Sequence, residues 1–107
     1  MSSPYCILLC SCPDQEIAKS IAQQLIILKQ AACINILPGI LSIYAWQGEI
    51  EHANEHLLLI KTRKDKYQLI EETITTMHPY ELPEIISVPI ENGLTTYLQW
   101  VDQSLNQ

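Results

Sequence analysis

Cys6, Cys10 and Cys12 stand at even spacing near the N-terminus of this 107-residue chain. Residues two apart on a strand share a face, so an extended segment here aims all three sulfurs one way. Deprotonated thiols are nucleophiles and ligands for soft metals. A structural zinc knuckle wants its cysteines on a turn, which this continuous apolar run does not offer. Free cysteines are more often small buried hydrophobes, and that is the expectation for Cys6 and Cys33. Cys10 and Cys12 fall at the exit of the strand, where solvent is expected to begin. They are the candidates for a reactive or ligating thiol.

The segment His78-Pro79-Tyr80-Glu81-Leu82-Pro83-Glu84 is the second concentration of chemistry. Two prolines stiffen a connector that carries an imidazole, a phenol and two carboxylates, and a stiff polar connector is suited to preorganised binding. The plainer role for His78 is to complement the negative end of a helix that stops there. His52 and His56 are four apart, but on a hairpin that spacing fixes no metal geometry, and they read as solvated surface histidines. No nucleophile elbow, phosphate-cradling glycine loop or H-E-x-x-H pair occurs. The chain is therefore read as non-enzymatic.

The elements that position these residues follow from periodicity. Tyr5 to Cys12 is a continuous apolar run ending at Pro13 and reads as a buried strand. Pro13 suits the first position of a helix with Asp14 and Glu16 in its first turn. Ile17, Ile21, Leu25 and Leu28 carry that helix to about Lys29. Ala31 to Trp46 is strand-like and broken at Pro38-Gly39, which predicts a bulge or bend. The polar stretch Gly48 to Asn54 reads as the hairpin connection, and Glu55 to Arg63 as the returning strand. Asp65 is expected to cap a second helix bearing Tyr67, Ile70, Ile74 and Met77 on one face, which Pro79 stops. Glu84 to Glu91 reads as a strand, and a C-terminal helix is expected from a cap at Thr95 or Thr96.

The order β-α-β-β-α-β with a terminal helix predicts one α+β domain over residues 1–107, a ferredoxin-like sandwich with strand order 4-1-3-2 and a long bent hairpin. In that topology the fourth strand runs antiparallel beside the first. The connector before it therefore meets the exit of the first strand, placing His78 and Tyr80 near Cys10 and Cys12. Cys33 falls at the opposite end.

Composition bounds the partners. Net charge is −6 and the isoelectric point about 4.8, which argues against a phosphate-backbone footprint and so against nucleic acid. No run of 18 apolar residues exists, so no membrane-spanning helix is expected. The N-terminus lacks a basic region and a long apolar stretch, so no secretory signal is read. The expected compartment is the cytoplasm, with thiols reduced. Hydrophobic residues are 48% and charged residues only 17%, below the usual share of about 25%. The strands are apolar on both faces: Ile34 and Ile36 oppose Cys33 and Leu37, while Leu57 and Leu59 oppose Leu58 and Ile60. Two helices cover one face only, so the other is expected to bury against further copies of the chain. The simpler alternative is that the C-terminal helix folds over it.

Several blocks in order give the chain its resemblance: Ala32-Cys33-Ile34-Asn35-Ile36-Leu37-Pro38-Gly39, Ser42-Ile43-Tyr44-Ala45-Trp46-Gln47-Gly48, Leu59-Ile60-Lys61-Thr62, His78-Pro79-Tyr80-Glu81-Leu82-Pro83-Glu84-Ile85 and Tyr97-Leu98-Gln99-Trp100. In these the chain resembles the CutA divalent-cation-tolerance family. The resemblance implies a tight homotrimer, similar in architecture to the PII signalling proteins, that binds divalent metal ions, copper among them. It assigns the ligand roles to Cys10 and His78. Where some members carry a second histidine, this chain has Met77, whose thioether suits Cu(I). A PII-like small-ligand or signalling module, or a scaffold trimer anchoring a partner protein, stand as alternatives.

Overall fold

The first strand, β1 (Tyr5–Cys12), alternates fully buried Cys6, Leu8, Cys10 and Cys12 with less buried neighbours. In a computed structural model describing residues 3–106, it lies at the centre of the fold. It pairs antiparallel with β3 (Glu49–Arg63) on one side and β4 (Ile86–Pro89) on the other. β2 (Cys33–Trp46) pairs antiparallel with β3, giving the order β2-β3-β1-β4. This is the expected ferredoxin-like sheet. Helices α1 (Gln15–Ile27) and α2 (Tyr67–Met77) pack Ala18, Ile21, Leu25, Ile70 and Ile74 onto the even-numbered face of β1 and onto Leu58 and Ile60.

Local chemistry corrects several expected boundaries. Asp14 is not in the first turn of α1 but caps it, accepting from the Ile17 amide at 2.9 Å. The helix ends at Ile27 because Lys29 takes a left-handed φ of 57°. Gln30 and Lys29 then donate back to the Leu25 and Ile26 carbonyls, a Schellman closure built without glycine. Asp65 does not cap α2. It sits in a single 3-10 turn, Lys64–Lys66, and pairs with Arg63 at 3.2 Å. The C-terminal helix α3 (Thr95–Leu105) likewise starts at Leu94 with no side-chain cap. β4 is shorter than Glu84–Glu91, as suits an edge strand with Pro89 at its end.

The hairpin differs most from expectation. The connection is only Gln47-Gly48, with φ of 51° and 81°, the two positive values of a type I′ turn. Glu49 to Asn54 are therefore strand, paired from Trp46↔Glu49 to Leu41↔Asn54. Their polar sequence disguised them because the ribbon projects beyond the helices and needs no apolar stripe of its own. At Pro38-Gly39 the register slips from Leu37↔Leu57 to Ile40↔Glu55, so β2 spends one extra residue. This is the expected bulge, and it reverses parity: odd-numbered Leu37 shares its face with even-numbered Ile40, Tyr44 and Trp46.

The second face of the sheet is partly covered. α3 reaches its end, where Asp102 accepts from Tyr5 Oη at 2.5 Å and from Arg63 Nη1 at 3.3 Å, with Val101 and Leu105 buried. Ile86 and Val88 on β4 remain half exposed, as do Tyr44 and Trp46, and on the ribbon's other side Ile43 is 62% and Ile50 73% exposed. No helix among the described residues is long and apolar enough to cross a membrane.

Candidate metal centre

β1 ends by turning Cys10 and Cys12 to the helix-covered side and Ser11 to the other. The connector after α2 crosses this strand end and grips it on both sides. His78, 8% exposed, places Nε2 at 2.8 Å from the Ser11 carbonyl. Its Nδ1 accepts from the Tyr80 amide at 3.2 Å. An amide can only donate, so the ring is a neutral imidazole with its proton on Nε2, donated to Ser11. Ser11 Oγ donates to Glu84 Oε1 at 3.1 Å.

The sulfurs of Cys10 and Cys12 and a ring nitrogen of His78 all lie within 4.8 Å of one another. The topology thus brings together the residues expected to meet at this rim. Among the described residues it is the one such group of three. The solvent expected at the strand exit is absent: both cysteines are fully buried, because the His78 connector, arriving from far along the sequence, closes over them. Met77 ends α2 and packs against the hydrophobic core. Cys33 is only partly buried and meets Tyr97 of α3. His52 is exposed as expected, whereas His56, paired across the sheet with Cys12, is partly buried with an Nδ1 that has no hydrogen-bond partner among the described residues.

The two thiols act as one unit. The hydrogen bond from Cys10 to Cys12 favours the Cys12 thiolate and lowers its pKa against the opposing effect of burial. That same bond, then burial, pushes the Cys10 thiol up, with Glu55 and Glu84 adding to the rise. The field around the cluster is therefore negative, which favours a cation. Glu55 is 7% exposed and accepts from Tyr80 Oη at 2.7 Å, while the Tyr80 ring lies 4.7 Å from that of His78. On the other face of the sheet, where Ser11 points, lies an open cleft of about 890 Å³ lined by Glu51, Glu55, Glu81 and Glu84 with Tyr44 and Trp46, and by no lysine or arginine. Such a lining repels phosphate groups. Sequence reasoning missed Glu55 as part of this setting. Its partner Tyr80 was visible, but the register that joins them was not.

Thiol and imidazole donors fit a soft or borderline metal ion. On ligation His78 must give up one of its two hydrogen bonds.

The fold and this cluster define a ferredoxin-like α+β protein with a buried thiol–imidazole group of metal-ligand type at one end of its central strand. Residues 6–104 match the family model of the CutA1 divalent ion tolerance protein, and the chain belongs to that family. It is 48% identical over 91 residues to a CutA homolog of Xenopus laevis, a match covering 85% of this chain and 60% of that protein. It is 41% identical to the divalent-cation tolerance protein CutA of Thermus thermophilus over 92% of this chain and 95% of the relative. The solved structure of CutA from Xylella fastidiosa superposes with a TM-score of 0.94 at 38% identity, covering 97% of this chain and all of that one.

Proposed function

We propose that this protein is a single-domain, non-enzymatic homotrimer that binds copper or another soft divalent metal ion, acting as a buffer or sensor in the cytoplasm. The observation that carries the reading is the meeting of Cys10, Cys12 and His78 within 4.8 Å. Cys10 and His78 are the proposed ligands. A third place has two claimants, Met77 beside His78 in sequence and Cys12 beside Cys10 in space. Family membership supports handling of divalent cations. The half-exposed apolar residues of the hairpin and β4 support assembly, since patches of this kind mark interfaces, and a trimer would shelter them.

Calorimetry with Cu(II), Cu(I), Zn(II) and ATP on the purified protein tests the reading. Metal binding lost in Cys10→Ser and in His78→Ala is the expected result. Unchanged metal affinity in both variants would refute the site, and ATP binding without metal binding would favour a PII-like ligand module. Light scattering that finds a stable folded monomer at micromolar concentration would refute the assembly.

A further inference from the structure

We infer that Cys12, not Met77, is the second sulfur donor, and that Cys10, Cys12 and His78 hold one thiophilic divalent ion of filled d shell, of the zinc and cadmium class, as a dithiolate–imidazole set. The inference rests on the reading of Cys10 and His78 as ligands and adds the donor count and the charge of the ion.

Distance is the first reason. Metal–sulfur bonds of about 2.3 Å in tetrahedral array set neighbouring donors about 3.8 Å apart. Donor atoms already within 4.8 Å need only a small contraction. Met77 packs on the hydrophobic cluster that includes Cys10 and Cys12, and it is charge, not distance, that sets it aside.

The strand supplies the second reason. Two residues of extended chain span about 6.6 Å, at the upper edge of the Cα separation a disulfide accepts, and the two Cβ vectors run side by side. Cys10 and Cys12 are thereby held as a thiol pair that an ion can bridge more readily than a sulfur–sulfur bond can.

Charge is the third. Both sulfurs are fully buried, and an uncompensated charge at such a depth is costly. Two thiolates, a neutral imidazole and a divalent ion sum to zero. A monovalent ion in the same set leaves one negative charge facing Glu55 and Glu84, while a set of Cys10, His78 and Met77 around a divalent ion leaves one positive charge. Binding breaks two S–H bonds, forms two metal–sulfur bonds and one metal–nitrogen bond, and releases two protons and the displaced waters. No atom changes oxidation state. Three donors leave a tetrahedral ion one open position, which suits exchange rather than permanent residence.

Cadmium(II) is the probe, titrated anaerobically into the reduced protein, because its sulfur-to-metal absorption in the ultraviolet scales with the number of thiolates bound. The wild type is expected to take one ion per chain. Cys12→Ala should halve the absorption per bound ion and weaken affinity by more than about tenfold, the scale on which metal sites respond to lost partners. Met77→Leu should change neither. Cys12→Ser, checked by circular dichroism, provides a second variant should alanine disturb the core. Full absorption and affinity in either folded Cys12 variant, or their loss in Met77→Leu, overturns the inference. If Cys10→Ser and His78→Ala abolish binding while Cys12→Ala leaves it intact, only this inference falls. If none of the three substitutions matters, the ligand reading beneath it falls as well.

Discussion

His78 Nε2 and the carbonyl of Ser11 are 2.8 Å apart across a separation of 67 residues. This bond joins the end of α2 to the end of β1 and seals the two thiols. Replacing His78 by alanine leaves the buried Ser11 carbonyl without that donor and removes the ring contact with Tyr80. A loss of about 1–3 kcal/mol in unfolding free energy is expected, read by urea denaturation of metal-free protein at fixed concentration. A loss under about 0.5 kcal/mol would mean that the bond does not hold the connector.

Tyr80 links pH to the same region. Burial, then its hydrogen bond to Glu55, pushes the phenol well above its ordinary value of 10.0. A folded-state value raised above the unfolded one stabilises the fold fully below about pH 10, and that contribution is lost as pH rises beyond it. Tyr80→Phe should cost about 1–3 kcal/mol at neutral pH, since Glu55 stays buried without its donor. The alkaline decline should also become shallower than in the wild type. Tyr5, Tyr67 and Tyr97, whose phenols are also raised, keep part of the slope. Parallel pH profiles for the two proteins would contradict this assignment.

Much of this was legible in the sequence, for physical reasons that differ by element. β1 could be read because both of its faces are apolar, and the bulge because proline and glycine interrupt β2. The distal hairpin was hidden because strand pairing there is fixed by the Gln47-Gly48 turn and not by an apolar stripe. The meeting of the two segments at the rim followed from topology, since the connector before β4 must meet the exit of β1. The burial of Cys10 and Cys12 did not, because what covers them lies far along the chain and no local pattern encodes it.

Val88 tests the exposed face. It sits on β4 opposite Ile7 and is half exposed. A monomer would accept Val88→Asp with a change inside about 0.5 kcal/mol. A trimer burying this face would not, because a carboxylate without a partner is costly in an apolar interface. Sedimentation should show smaller species for the variant where the wild type sediments as a trimer. Identical profiles would place the interface elsewhere.

Lys29 tests the closure of α1. Its φ of 57° is strained for a residue with a side chain, and glycine takes that conformation freely at some cost in unfolded-chain entropy. Lys29→Gly should therefore stabilise the fold by about 0.5–1 kcal/mol, measured as a raised denaturant midpoint with unchanged slope. A fall in stability would show that the lysine side chain contributes more than its backbone costs.

The extra residue that β2 spends at Pro38-Gly39 makes the strand behave as a counter with one skipped beat. Upstream, odd positions and the second face go together; downstream, even positions do. The skipped residue changes the numbering of the beat but not the side of the sheet: Leu37 and Ile40 stand on one face across the bulge. Removing Gly39 alone would restore the simple beat and erase the bend, yet Ile40 would still meet Glu55 and Tyr44 still meet Glu51, so the ribbon would keep the same side toward the cleft.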